Sequence, residues 1–178
     1  MERNSLRVAI SGLALSAAAF VGITQREFFT AAAVIPTKGD VPTYGFGSTV
    51  KEDGTKVRMG DTITPVKAVR LALKHIENDE GNLRRCLGED LLLYQAEWDV
   101  YVDLSYNIGT YTFCTNKLTG GPGAIPKALL AGDYVGACKA ILQYKLAAGF
   151  DCSTPGNKRC AGVWTDRQRS YKNCMAAQ

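Results

Sequence analysis

The chain has a single histidine, His75, among its 178 residues, and no Cys-x-x-C pair. Zinc sites are built from His and Cys clustered at short spacing, so no zinc centre is expected. A lone His in no recognisable nucleophile context also argues against a serine or cysteine hydrolase, which needs a base beside its nucleophile. Neither glycine-rich stretch is a phosphate loop. Gly45-Phe46-Gly47 lacks the Lys-Ser/Thr ending, and Gly121-Pro122-Gly123 is too irregular. The net charge of +4 is small and scattered, and aromatic residues do not interleave with a basic stripe. Nucleic-acid binding is therefore disfavoured. There is no internal repeat and no sign of a second globular domain, and the length suits one domain with a substantial core.

Cysteine is absent before Cys86, and then six appear: Cys86, Cys114, Cys138, Cys152, Cys160 and Cys174. An even count without metal-ligand spacing reads as disulfides, hence an oxidising compartment. Six cysteines allow fifteen complete pairings, and sequence does not choose among them. Cys152 and Cys160 bracket Pro155-Gly156 and could close a short loop. For the rest, Cys86 with Cys114 and Cys138 with Cys174 is a guess.

Charge is absent from Val8 to Gln25. Arg3 and Arg7 precede this stretch as a positive flank. Its apolar part, Val8 to Ile23, holds five Ala, two Gly and two Ser, so it is only weakly hydrophobic. As a helix these residues would rise about 24 Å, short of the roughly 30 Å hydrocarbon core. Residues 1–25 read as an export element, either a cleaved signal peptide or a weak membrane anchor.

Acidic residues are scarce here too. Glu27 is the only one between Arg3 and Asp40. It precedes an apolar run, a polar turn (Pro36-Thr37-Lys38-Gly39-Asp40) and a Gly-punctuated strand (Thr43-Tyr44-Gly45-Phe46-Gly47). A glycosidase needs such parts: an acid in a partly apolar pocket, a second carboxylate across a cleft, and a hydroxyl to hold water. On spacing alone the same residues also fit a surface Glu followed by an ordinary hairpin.

The stretch from Gln25 to Gly47 resembles the active-site segment of the phage-type lysozymes, the endolysins of glycoside hydrolase family 24. Their pattern is a Glu near a helix C-terminus, an Asp in the following turn and a Thr in a T-x-G-x-G strand. The resemblance implies Glu27, Asp40 and Thr43 as the catalytic set. Two departures stand out. Phe28 occupies the position after the Glu where the family usually has Gly. Twelve residues separate Glu27 from Asp40 and only two separate Asp40 from Thr43, so Asp40 is displaced toward the Thr. Pro36 or Thr37 stands where the Asp is expected.

Further along, Thr43, Tyr44 and Phe46 favour strand, Asp53-Gly54 signals a hairpin turn, and Val57 to Met59 would return, making a small antiparallel sheet over 41–63. Thr64 and Pro65 are a helix start. Val66, Val69, Leu73 and Ile76 then recur on a helical period, with an end or kink near Gly81. His75 on that helix is read as a surface or packing residue. Residues 89–107 form the strongest core helix, around Tyr94, Trp98, Tyr101, Val102 and Leu104, with Glu97 and Asp99 solvated or ion-paired. It ends at Ser105-Tyr106-Asn107-Ile108-Gly109, which resembles the family's cleft-facing helix end. Asn107 is thus a candidate substrate contact, or equally a C-terminal cap. Short helices follow at 124–131 and 133–145. The last helix, Val163 to Met175, exposes Arg167, Arg169 and Lys172.

The resemblance implies an α+β, lysozyme-like fold: a small antiparallel sheet lobe and a larger helical lobe, with the active-site cleft between them. It implies an endolysin that hydrolyses the β-1,4 bond between N-acetylmuramic acid and N-acetylglucosamine in peptidoglycan and lyses the host, with Glu27 as general acid held protonated by an apolar pocket. No metal or organic cofactor is implied. Two alternatives remain: a lytic transglycosylase, and a catalytically inert wall-binding protein. Some phage endolysins carry a signal-anchor-release segment, and residues 1–25 suit that role before a catalytic domain over 26–178. Residues 8–23 would tether an exported, monomeric enzyme at the inner membrane before release to the periplasm, with a phage holin or pinholin acting upstream. On release, residues 8–30 would refold as the helix that positions Glu27.

Overall fold

A computed structural model describes residues 6–36 and 39–178. The elements run β1 (Val8–Ala9), α1 (Ala17–Glu27), β2 (Thr30–Val34), β3 (Thr43–Gly45), α2 (Pro65–Leu87), β4 (Leu92–Leu93) and α3 (Gln95–Ile108). They continue α4 (Thr110–Cys114), α5 (Ala124–Leu130), α6 (Tyr134–Ala140), β5 (Leu146–Ala147), β6 (Phe150–Asp151) and α7 (Ala161–Ala176). Single 3-10 turns lie at Ile10–Gly12 and Ile141–Gln143. This is the α+β fold expected from the sequence: helices with small antiparallel sheets. The chain forms two compact units, Ser16–Asn78 and residues 6–15 with Asp79–Gln178. The division expected between residues 25 and 26 falls inside α1. The Arg3 flank and the Thr37-Lys38 part of the polar turn lie outside the described residues.

In the unit Ser16–Asn78, β2 is the central strand although its sequence, T-A-A-A-V, has little strand propensity. It is held by pairing on both edges. One edge carries β3, with Thr30 opposite Gly45 and Val34 opposite Thr43. The other takes residues 61–63, through Ala33 N–H to Asp61 O at 2.9 Å and Ile63 N–H to Ala31 O at 2.8 Å. The expected return is made at Val57, whose N–H donates to Thr49 O at 2.9 Å rather than to a residue of β3. The Asp53-Gly54 turn does form, but in a separate hairpin where Lys51 N–H meets Thr55 O at 2.8 Å. The Asp53 carboxylate accepts from both the backbone N–H and the hydroxyl of Thr55. Ala33, Tyr44, Val57, Ile63, Ala68 and Leu71 make the core beneath.

α2 starts where Thr64 and Pro65 placed it, with Thr64 Oγ1 accepting from Lys67 N–H at 3.4 Å. It runs unbroken through Gly81. Its buried stripe is Ala68, Leu71, Ala72 and Ile76, continuing to Leu83 and Leu87, whereas Val66 and Leu73 are exposed. Ala68 stands in this stripe where β3 approaches closely, and apolar counting undervalues it.

The second unit is built around α3, whose Trp98, Tyr101, Val102 and Leu104 are buried. The helix begins at Gln95, later than expected, because Leu92–Leu93 are drawn into an extended pair with Val8–Ala9. Phe113, Ile125, Leu129, Ile141 and Cys174 complete the core. Three disulfides, Cys86–Cys114, Cys138–Cys174 and Cys152–Cys160, use all six cysteines. Arg167 was expected on the surface but is buried on α7, donating through Nε to Tyr144 O at 3.1 Å and pairing with Asp166 at 2.7 Å. That backbone acceptor and Asp166 hold the guanidinium inward.

The uncharged N-terminal stretch is folded rather than one helix from 8 to 30. Ser16 caps α1, its hydroxyl accepting from Ala19 N–H at 3.1 Å, so the helix starts there. Ile10, Leu13 and Ile23 are buried. Among the described residues no helix is long and apolar enough to cross a membrane.

Candidate active site

Glu27 is the C-terminal residue of α1. Ile23, one turn back on the same helix, is 1% exposed. Phe28 then turns the chain out of the helix with φ +49° and ψ 139°, a region non-glycine residues rarely adopt. This is the position where the sequence departs from the family's glycine. A phenylalanine makes the turn here.

Beyond Phe28, Phe29 leads into β2, and its ring meets Phe46 at 5.8 Å between centroids. Because Thr30 lies opposite Gly45, the residues before Thr30 run beside those after Gly45. The carboxylate of Glu27 accordingly reaches Gly47: a β-carbon added there would lie 3.3 Å from Glu27 Oε2. The other glycine of the strand has a different reason. A β-carbon on Gly45 would stand 3.0 Å from Ala68 Cβ, so glycine lets β3 lie directly on α2. On either side of the two glycines, Tyr44 and Ser48 exchange backbone hydrogen bonds at 3.1 and 3.0 Å and close the turn.

Thr43 is half-buried at the start of β3, opposite Val34. Asp40 is exposed on the connection between β2 and β3, its Oδ1 accepting from Val41 N–H at 3.2 Å. The two sites therefore share one hairpin, and Glu27 enters it from the helix. On the other edge of β2, Asp61 accepts from Arg58 N–H at 2.8 Å and pairs with Lys51 at 2.9 Å. The Arg58 hydrogen bond, then Lys51, hold its carboxyl below the usual range.

Asn107 belongs to the other unit. It is exposed in the last turn of α3, and its amide donates back to Asp103 O at 2.9 Å. Gly109, with φ +80°, ends that helix. His75 is exposed on α2. Among the described residues no cluster of His, Cys, Asp or Glu is arranged to hold a metal ion.

Residues 25–169 match the family model for phage lysozyme. The chain belongs to the phage lysozyme family. Its fold agrees with that membership. A phage P22 lysozyme is similar at 23% identity and a TM-score of 0.67, over 92% of this chain and 99% of the other. An endolysin from an Escherichia coli phage, FAHEc1, is similar at 21% and 0.72, over 94% and 96%. The active form of the phage P1 endolysin is similar at 17% and 0.71, over 91% and 85%. No curated protein matches the chain. As a phage lysozyme the protein is a glycosidase whose substrate is peptidoglycan. Sequence reasoning had not placed Gly47 beside Glu27. A glycine two positions after Gly45 was visible, but its neighbour depended on the β2–β3 register.

Proposed function

We propose that this phage lysozyme hydrolyses the β-1,4 bond between N-acetylmuramic acid and N-acetylglucosamine, with Glu27 as general acid. The observation that carries the reading is Glu27 at the end of α1 with its carboxylate against the Gly47 turn, on the hairpin that holds Thr43 and Asp40. Glu27 donates its proton to the glycosidic oxygen as the C–O bond breaks. Asp40 stabilises the positive charge that develops on the sugar, or acts with Thr43 to orient the water that adds to it. The water's oxygen bonds to the anomeric carbon, and its proton passes to the carboxylate or to solvent. Asn107 is a substrate contact. No cofactor takes part.

The physiological setting follows from residues 8–23. They tether the exported enzyme to the inner membrane, and a holin-type partner permits release and host lysis. The uncharged, weakly apolar composition supports this reading. Tethered, Glu27 lies within about one helical turn of the bilayer surface and α1 is not formed on its hairpin, so tethering keeps the enzyme inactive. The test compares turnover of peptidoglycan by protein held in vesicles with that of the released protein. Slower turnover by the held form is expected, and equal rates would refute inactivity by tethering.

A further inference from the structure

The positive charge in front of the apolar stretch has a socket in the folded protein. Arg7 lies between two tyrosine rings, 4.3 Å from the Tyr94 centroid and 3.8 Å from that of Tyr134. Its Nε donates to Glu97 Oε2 at 3.1 Å, and its Nη2 donates to Glu97 Oε1 at 3.4 Å and to Gln178 Oε1 at 2.8 Å. Glu97 is 0% exposed. Its carboxylate also accepts from Tyr94 N–H and from Gln178 Nε2, each at 2.8 Å. A fully buried carboxylate requires a cation or several donors, and Arg7 is the cation here.

The residues after Arg7 continue the dock. Val8–Ala9 pair with Leu92–Leu93. Ile10 N–H donates to Leu91 O at 2.9 Å and Ser11 N–H to Glu89 O at 3.1 Å. Arg84 donates to Ile10 O and Leu13 O, at 3.2 and 2.5 Å. Glu80 Oε1 accepts from Leu15 N–H at 2.6 Å and from Trp98 Nε1 at 2.9 Å. Every one of these contacts lies within the unit of residues 6–15 and 79–178.

We infer that the Arg7 socket is a latch that retains residues 7–15 on the helical unit and thereby keeps the apolar stretch out of the membrane once it has left. The inference rests on the export reading of residues 8–23. In the tethered state Arg7 stays on the cytoplasmic side of the bilayer and Glu97 on the other, so their ion pair exists only after the whole segment has crossed. A contact made in one state alone shifts the balance toward that state. Arg7 thus serves twice, as the positive flank that sets orientation and as the key that holds the released form.

Substitutions in the socket test this without altering the segment's own affinity for lipid. Full-length soluble wild type is compared with Glu97→Gln and, because a change at a buried carboxylate can impair folding, with Tyr134→Ala. Hydrogen exchange at the amides of Ile10, Ser11 and Leu15 reports docking. Co-sedimentation with vesicles of phosphatidylethanolamine and phosphatidylglycerol reports re-entry. The latch predicts that both variants exchange at those amides at least about tenfold faster, that amides within α7 keep their protection, and that the variants bind vesicles more than wild type does. Unchanged exchange at the three amides in both variants overturns the latch. Faster exchange throughout the protein shows a merely structural ion pair and overturns it too. Local loosening without vesicle binding shows that the export reading fails while the dock stands, and it removes the regulatory role.

Discussion

Gly47 and Glu27 are neighbours across the junction of helix and hairpin: a β-carbon at residue 47 would sit 3.3 Å from Glu27 Oε2. Gly47 also has φ +78°. Gly47→Ala therefore adds strain of about 1–2 kcal/mol and crowds the carboxylate. The expected outcome is a loss of peptidoglycan turnover of about 10²-fold, as a misplaced catalytic group produces, with a folded protein by circular dichroism. Full activity would show that the Glu27 carboxylate need not occupy this place.

Phe28 lies at φ +49° and is exposed, so its side chain gives little packing in return for its strained backbone. Phe28→Gly removes the conflict between side chain and backbone. Stability should rise by about 1 kcal/mol, or roughly 2–4 °C in Tm for a chain of this size, offset in part by the greater freedom of glycine when unfolded. Thermal denaturation checks the sign.

The disulfides differ in the loop they close. Cys138–Cys174 spans 36 residues of sequence and Cys152–Cys160 spans 8. Loop-closure entropy gives about 4 kcal/mol for the first and about 2.5 for the second. Cys138 and Cys174 are also fully buried. Replacing both with Ser should lower the midpoint of urea denaturation well beyond the Cys152→Ser/Cys160→Ser variant.

The Asp151 carboxyl is held down to about 2, first by its bond with Lys145 and then by Ser153. A depressed carboxylate contributes stability that is present above its unfolded value, near 4, and is lost as pH falls toward 2. Asp151→Asn should abolish this group's share of the acid destabilisation in that window and leave the curve above pH 5 unchanged in shape. A Tm series against pH, wild type beside the variant, reads it directly.

Local signals were legible in the sequence, and long-range ones were not. Thr64-Pro65 announces α2, and Trp98 and Tyr101 announce the core of α3, because caps and apolar periods are written in adjacent residues. The strand β2 was hidden because three alanines say little about pairing. Its neighbours Thr43–Gly45 and residues 61–63 decide it, and with it the meeting of Glu27 and Gly47. Glu97 was read as solvated or ion-paired. It is ion-paired, but its partner is Arg7, ninety residues away, and that partner lay in a stretch set apart as an export element. Arg167 went astray for the same reason, since its acceptor is the Tyr144 carbonyl.

The central claim is that Glu27 protonates the glycosidic oxygen in a hydrolysis. Its most direct test is product analysis of purified peptidoglycan digested by wild type and by Glu27→Gln, with thermal melts to show that both are folded. New reducing N-acetylmuramic acid ends from wild type alone are the predicted result. Reducing ends from Glu27→Gln at the wild-type rate, or anhydro-muramyl ends from wild type, would contradict it.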